Sequence, residues 1–533
     1  MRVLTCEEVR KIERDAVGRA HISEAALIQR AGYAVAQFCL AHFRFRSVCA
    51  VCGAGNNGAA GLAVAQVLSE VAERISVIIL APDESTLSTE ASALCSTLAV
   101  KPIWISEEAD FQDSAVQQAL EADLIIDVVA GPFGKPPLEQ TAKRAVEAIN
   151  RAPGTIVSVD VPSGVDPDSK FPIHQGSSEA IYAHGVVTFV APKPAHVFGG
   201  LTSGPIAVSE LGIQPALASN QTSLSVTTGQ EAGIAFPPRP DNAHKGHFGH
   251  VLVIAGSLGK AGAAGLAGMA ALRTGAGLVT VACPKSVQAT VAGFAPELMT
   301  EGLRETSEGT IALEALGKVQ TLLAGTDIIV LGPGLSRNDE TAEFVRRLVA
   351  SCSLPLVIDA DGLNAFAGQA SDLKPNGDAP SFRVLTPHPG EAARLIGVST
   401  RDIQADRQGA VRRISSQTGA CVVLKGWRSV VAGASGETWL NMTGNPALAK
   451  GGTGDVLSGM IGAALARHAD NTSAFLLDAR VAAAVYVHGL AGDLARDMLH
   501  ENTVLATDLL QNLDEAFRDC ESQMDRGLFY LHR

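Results

Sequence analysis

The stretch Asn441-Met-Thr-Gly-Asn-Pro-Ala-Leu-Ala-Lys-Gly-Gly-Thr453-Gly454-Asp455-Val-Leu-Ser-Gly sets a glycine-rich turn directly ahead of an apolar, helix-forming run, with one carboxylate at the junction. Such a turn can hold a phosphoryl group. Backbone N–H groups freed by glycines, together with the positive end of a helix, stabilise anionic oxygens without a basic side chain. Asp455 then stands where it can orient a hydroxyl attacking that phosphorus, or take its proton. Because Asp at a helix start is also a good N-cap, the tetrapeptide is weak by itself and its companions decide its meaning.

Those companions recur upstream. Gly332-Pro-Gly334, Asp359-Ala-Asp361-Gly-Leu-Asn364, Leu385-Thr-Pro-His388-Pro-Gly-Glu391 and Lys425-Gly426-Trp427-Arg428-Ser429 each follow a short apolar run that reads as a strand. In open α/β sheets ligands collect at the carboxyl ends of strands, so polar clusters repeated there point to one site. Gly256-Ser-Leu-Gly-Lys-Ala261-Gly-Ala263 also follows a strand, but Lys260 precedes Ala261 rather than Ser or Thr, so it is no P-loop. In the first half, Gly53-Ala-Gly55-Asn56-Asn57-Gly58 satisfies G-x-G-x-x-G between a strand and a helix, the setting of a dinucleotide phosphate turn. Asp127 and Asp160 again close strand-like runs.

The elements required to place these residues alternate along the chain. Apolar runs at 47–52, 75–80, 124–129, 155–159 and 186–190, separated by helical periodicity, predict a mainly parallel sheet with helices on both faces. A second series runs through 251–255, 278–282, 327–331, 356–359, 383–386 and 420–424. Between them Pro, Ser, Thr and Gln dilute the pattern. The expected organisation is α/β throughout: a Rossmann-like three-layer domain over 1–220, a linker over 221–240 and a second α/β domain over 241–533.

Composition narrows the partners. With 47% hydrophobic residues, 5% aromatics and 53 Gly in 533 residues, the chain suits Ala/Gly/Val-rich α/β layers. A net charge of -13 argues against a nucleic-acid groove. Nine scattered Cys form no disulfide framework, which suits a reducing cytoplasm, and Cys49 and Cys52 read as buried structural thiols. The N-terminus lacks a signal-peptide pattern, and no membrane span is expected.

Together, GPG, DADGLN, LTPHPGEAARL, VVLKG and TGNPALAKGGTGDVLSG resemble the ADP/ATP-dependent NAD(P)H-hydrate dehydratases, a ribokinase-like family, over about 241–508. The resemblance implies dehydration of (6S)-hydrated NADH or NADPH coupled to hydrolysis of ADP, or of ATP, with Mg2+ bridging phosphates. It casts Asp455 as the catalytic base and Lys425, Gly426, Trp427, Arg428, Ser429 and Gly454 as the nucleotide-binding set. Ala263, Gly334 and His388, with Asp455, would hold the hydrated dinucleotide.

The first half, through Leu27-Ile-Gln-Arg-Ala-Gly32, the glycine turn, the Asp127 and Asp160 segments and Ala191-Pro-Lys-Pro194, resembles the NAD(P)H-hydrate epimerases. That resemblance implies substrate contacts at Asn56, Asn57, Gly58, Ala59, Ala60 and Gly131, with Asp160 at the chemistry, and a K+ held by Asn57, Asp127 and Ser163. Where that family reads Asn-Asn-Gly-Gly-Asp-Gly, this chain has Asn56-Asn57-Gly58-Ala59-Ala60-Gly61, which lacks the carboxylate and introduces a methyl into what reads as a tight turn. Weakened or lost epimerase turnover is the expected consequence. The alternative is an ATP-dependent small-alcohol kinase of ribokinase type carrying a non-catalytic nucleotide-binding domain. A homo-oligomer is expected.

Overall fold

The computed structural model describes every residue except 20–21, 133–135, 171–178, 203, 214–223, 376–380, 468–472, 523–527 and 533. The chain divides into two compact units, Met1–Thr222 with Asp525–Arg533, and Ser223–Met524.

In the first unit β1 (Ser47–Gly53), β2 (Arg74–Leu80), β3 (Ile103–Ile105), β4 (Leu124–Val128), β5 (Thr155–Val159), β6 (Gly185–Phe189) and β7 (Ile206–Ser209) lie in the order β7-β6-β5-β4-β1-β2-β3, all parallel. The interior strands are continuous apolar runs because helices cover both faces and leave no wet side to alternate toward. The order in which strands are added switches sides between the parallel neighbours β1 and β4, which opens a crevice at their carboxyl ends.

The glycine segment after β1 is tighter than its sequence suggests. Helix Asn56–Leu68 begins at once, so Ala59 (0% exposed) and Ala60 (4%) lie inside its first turns and in the core, not in an open loop. The expectation of a methyl strained in a tight turn is corrected: helical backbone accepts alanine more readily than glycine. Gly58 is the position that tolerates nothing larger, since a Cβ there would sit 1.8 Å from the Gly53 carbonyl oxygen.

The second unit contains β8 (Leu224–Val226), β9 (His250–Ile254), β10 (Leu278–Pro284), β11 (Met299–Leu303), β12 (Ile328–Leu331), β13 (Leu356–Ile358), β14 (Arg383–Leu385), β15 (Cys421–Leu424), β16 (Val430–Ala432) and β17 (Thr438–Leu440). Their order is β11-β10-β9-β12-β13-β14-β15-β16-β17-β8, with β16 antiparallel to both neighbours and the switch point between β9 and β12. Helices Ala261–Thr274 and Thr453–Ala466 pack together against the sheet.

Two expectations about this half change. The proposed linker is largely structured: β8 pairs with β17, and helix Gly229–Ala235 follows under a Thr228/Glu231 capping box. A three-residue edge strand amid Ser and Thr gives too short a pattern to read. Helix Ala474–Met498 is long and apolar enough to cross a membrane by length and composition, yet 67% of its apolar window is buried inside this unit, packed on Thr453–Ala466 and Ala506–Ser522.

The last strand, β18 (Phe529–His532), belongs to the first unit, which corrects the assignment of 241–533 to one domain. It pairs antiparallel with β7 and covers an edge that would otherwise present unpaired N–H and C=O groups. Tyr530 is 3% exposed, stacks on Phe38, and its hydroxyl lies 3.0 Å from His42 Nε2.

Candidate active sites

At the β9/β12 switch point the strand-end loops are sewn together. Gly256 N–H donates to the Pro333 carbonyl (2.8 Å) and Ser257 Oγ to the Gly334 carbonyl (2.7 Å). A Cβ added at Gly334 would come within 2.9 Å of the Ala263 Cβ, so the two residues expected to hold the dinucleotide do adjoin.

Beyond β13, Asp359 is 1% exposed and accepts Lys425 Nζ at 2.8 Å and Ser458 Oγ at 2.5 Å. Lys425, at the end of β15, also lies 4.0 Å from Glu391 Oε2. Burial works against its ammonium, but Asp359, Glu391 and Asp455 outweigh that and raise its pKa. Gly454 faces this cation, for a Cβ there would meet Lys425 Nζ at 3.3 Å. Gly452, at φ 99°, turns the chain into helix Thr453–Ala466, whose first N–H groups have no partner within the helix. Asp455 is in that first turn. Burial, then the neighbouring Asp359, push its carboxyl up to about 7, against the pull of Lys425. A carboxyl held near neutrality beside a lysine and a glycine-lined helix start suits a general base acting on a phosphoryl acceptor.

His388 sits on the rim of this cluster. Its Nδ1 accepts from Gly390 N–H, and its Nε2 is 3.3 Å from Glu391 Oε1, in a capping box that starts helix Pro389–Ile396. The Gly426–Ser429 loop continues from Lys425, closed by Ser429 Oγ donating to the Gly426 carbonyl, with the Arg428 guanidinium against Met442 Sδ and the Trp427 indole 67% exposed. Asp359, Glu391 and Ser458 were not assigned from sequence. The two acids stand in quoted motifs, and Ser458 lies one helical turn beyond Gly454, whose carbonyl its hydroxyl also reaches.

In the first unit Asp127, at the end of β4, is fully buried. Its Oδ1 accepts Ser163 Oγ at 2.6 Å, and its Oδ2 accepts Ser163 N–H at 2.9 Å and Ser158 Oγ at 2.7 Å. Burial raises its pKa despite these bonds. The Asn57 amide packs on Gly131, where a Cβ would come 2.9 Å from its own Cβ, and its Nδ2 is buried without a hydrogen-bond partner. Amide nitrogen and oxygen are interchangeable by a flip. The set Asn57, Asp127 and Ser163 therefore offers hard oxygens and an orphaned amide to a monovalent cation, a donor chemistry that fits K+. Asn56 is exposed, its amide 3.5 Å from Glu24. Residues 133–135 of the following loop lie outside the described residues.

Asp160 makes a separate set of bonds. It adopts φ 66°, unusual for a residue with a side chain, and its carboxylate accepts Lys193 Nζ at 2.5 Å and Thr188 Oγ1 at 2.7 Å. Burial would raise its pKa, but Lys193 and Thr188 outweigh burial and lower it. Below it His196 Nδ1 accepts Lys193 N–H, which leaves Nε2–H to donate to the Asp160 carbonyl at 2.7 Å. Burial keeps this imidazole neutral, with its pKa pushed down to about 4. Lys193 and His196 went unassigned in the sequence; the only signal was Lys193 in Ala191-Pro-Lys-Pro194.

Two family models match the chain, NAD(P)H-hydrate dehydratase over residues 251–515 and YjeF-related protein N-terminus over residues 24–195. Among curated proteins, the bifunctional NAD(P)H-hydrate repair enzyme Nnr of Moorella thermoacetica is 35% identical across 98% of both chains. Its Escherichia coli counterpart is 31% identical over 95% of this chain and 92% of its own. Among solved structures, an ADP/ATP-dependent NAD(P)H-hydrate dehydratase from Bacillus subtilis, co-crystallized with ATP/Mg2+, is 31% identical over 56% of this chain and 98% of its own, with a TM-score of 0.48. With relatives aligned end to end across both units, the chain belongs to the bifunctional NAD(P)H-hydrate repair enzymes.

Proposed function

We propose that the second unit dehydrates (6S)-NAD(P)H hydrate with ADP as co-substrate, ATP being the competing donor. The observation that carries this reading is Asp455, held near neutrality between Lys425 and the Gly452–Gly454 turn. Hydroxide leaves poorly, whereas a phosphorylated hydroxyl leaves easily. Asp455 takes the C6 hydroxyl proton as that oxygen attacks the terminal phosphorus of ADP. The bond to AMP breaks, and the Gly454 N–H and Lys425 balance the charge on the transferring group. Expulsion of phosphate from C6, with loss of the C5 proton, restores the dihydropyridine, so hydrate and ADP become NAD(P)H, AMP and phosphate. Among the described residues no three His, Cys, Asp or Glu side chains are grouped to hold a metal, so Mg2+ would arrive on the nucleotide's phosphates.

For the first unit we propose epimerisation of (6R)- to (6S)-hydrate at the β1/β4 crevice. Asn57, Asp127 and Ser163 would hold K+, which supplies positive charge near the substrate's oxygens. Asp160 and Lys193 share a hydrogen bond and are suited to give a proton to the C6 hydroxyl as its C–O bond breaks, leaving water and a ring iminium, and to take one back as the water re-adds to the opposite face of C6. The test uses (6R)-hydrate coupled to the dehydratase: Lys193→Met should stop (6R) consumption above its spontaneous rate and leave (6S) consumption unchanged. Equal loss of both would refute the assignment.

A further inference from the structure

Helix Ala474–Met498 does more than fill the core of the second unit. Along one stretch it grips the loop that leads to Asp455. The Tyr486 carbonyl accepts Thr443 Oγ1 at 2.8 Å, and the Asp493 carboxylate accepts Gly444 N–H and Asn445 Nδ2, both at 2.8 Å. Gly489 lets the two segments meet, for a Cβ there would stand 2.3 Å from Thr443 Oγ1. Between these anchors His488, 9% exposed, places Nε2 2.9 Å from the Thr453 carbonyl oxygen.

A carbonyl can only accept, so Nε2 carries the proton. The carbonyl of Thr453 and the N–H of Gly454 belong to one planar trans peptide and point in opposite directions. A donor fixed on that carbonyl therefore sets the direction of the Gly454 N–H and polarises it as a donor. Thr453 itself is pinned through Oγ1 to the carbonyls of Leu448 and Lys450, at 3.0 Å each.

We propose that His488 is a positioning residue for dehydration, its Nε2–H on the Thr453 carbonyl aiming the Gly454 N–H at the transferring phosphoryl group; this rests on the dehydration site proposed above. Burial holds the imidazole neutral, its pKa pushed down to about 4, so it serves as a fixed dipole and not as a proton carrier. Loss of a donor aimed at transition-state charge lowers kcat more than it raises KM.

The experiment compares His488→Leu and His488→Gln in the full chain, with (6S)-NADH hydrate and ADP. Leucine keeps the bulk and removes the donor; glutamine keeps an N–H within reach of the carbonyl. We expect kcat to fall by about 10- to 100-fold in the leucine variant with the hydrate KM changed less than about threefold. The glutamine variant should recover most of the loss, and both should melt with the native protein. Leucine turnover close to native, or leucine and glutamine equally impaired, would overturn the proposal. Leucine failing to fold while glutamine folds at native activity would assign His488 to stability alone and overturn it as well. Asp455→Asn measured in parallel separates the two readings: near-native turnover there removes the site, whereas an inactive Asp455→Asn beside a fully active His488→Leu removes only the role of His488.

Discussion

Asp455→Asn should move stability and turnover in opposite directions. Burial and the neighbouring Asp359 push the Asp455 carboxyl from an ordinary 3.8 up to about 7. A carboxyl that binds its proton more tightly in the folded chain than in the unfolded one stabilises the fold fully below the unfolded value, and that contribution is lost as pH rises through the folded value. Against asparagine, which does not titrate, the native protein therefore loses stability between pH ~4 and ~7, after which the gap is constant. At ~1.4 kcal/mol per pH unit, the roughly three units between the two values set a ceiling of ~4 kcal/mol. Water reaching the partly buried Asp455 brings the expectation nearer ~2 kcal/mol. At pH 8 the variant should melt about 4 °C above the native protein, while its turnover falls by ~10² to 10⁴-fold through loss of the base. The assay is thermal unfolding of nucleotide-free protein at pH 5, 6, 7 and 8, beside dehydration rates at saturating ADP. A variant less stable than native at pH 8, or a gap that does not widen from pH 5 to 7, would refute the claim that the fold holds this carboxylate against its preference.

Other outcomes follow from particular contacts. The kcat/KM of the native dehydratase should fall about tenfold per pH unit below pH ~7, and an acid limb centred below pH 5 would exclude Asp455 as the base. Ending the chain after Met524 removes β18 and bares β7; burial of Leu528, Tyr530 and Leu531 sets the cost at several kcal/mol, on the order of 4, read as a lower melting transition for the first unit with dehydration unchanged. Residues 223–524 alone should fold and dehydrate (6S)-hydrate, and an insoluble product would show that the two units depend on each other. The native chain should epimerise (6R)-hydrate more slowly than Ala59→Gly/Ala60→Asp in a dehydratase-coupled assay; equal rates would show that the missing carboxylate is dispensable.

The strand-end logic made the placement of the candidate sites legible in advance, because a parallel sheet buried on both faces writes its strands as unbroken apolar runs and its strand-end loops as the polar breaks after them. β1, β4, β5, β9, β12 and β15 were read that way within a residue or two. What escaped has physical reasons. β8, β16 and β17 are three residues each, as are β13 and β14, but only β13 and β14 run into the polar motifs that mark a strand's carboxyl end. β18 pairs with a strand more than three hundred residues earlier, and no local pattern encodes such a partner. Ala59 was misjudged because a glycine-rich stretch reads as a turn, while packing against β1 makes it a helix. Within the sites, polar groups that act through others were hardest to see: Asp359 touches Lys425 and Ser458 across 66 and 99 positions, and His196 supports Asp160 across 36.

Dehydration by the second unit is decided by following the dihydropyridine absorbance when purified full-length protein meets (6S)-NADH hydrate with ADP, with ATP and with neither, while AMP, phosphate and any phosphorylated nicotinamide species are quantified. NADH, AMP and phosphate should appear in equal amounts with ADP, none of them in the absence of nucleotide, and all of them ~10²- to 10⁴-fold more slowly with Asp455→Asn. Accumulation of a stable phosphorylated product with no recovery of NADH would contradict dehydration, and would make the second unit a kinase.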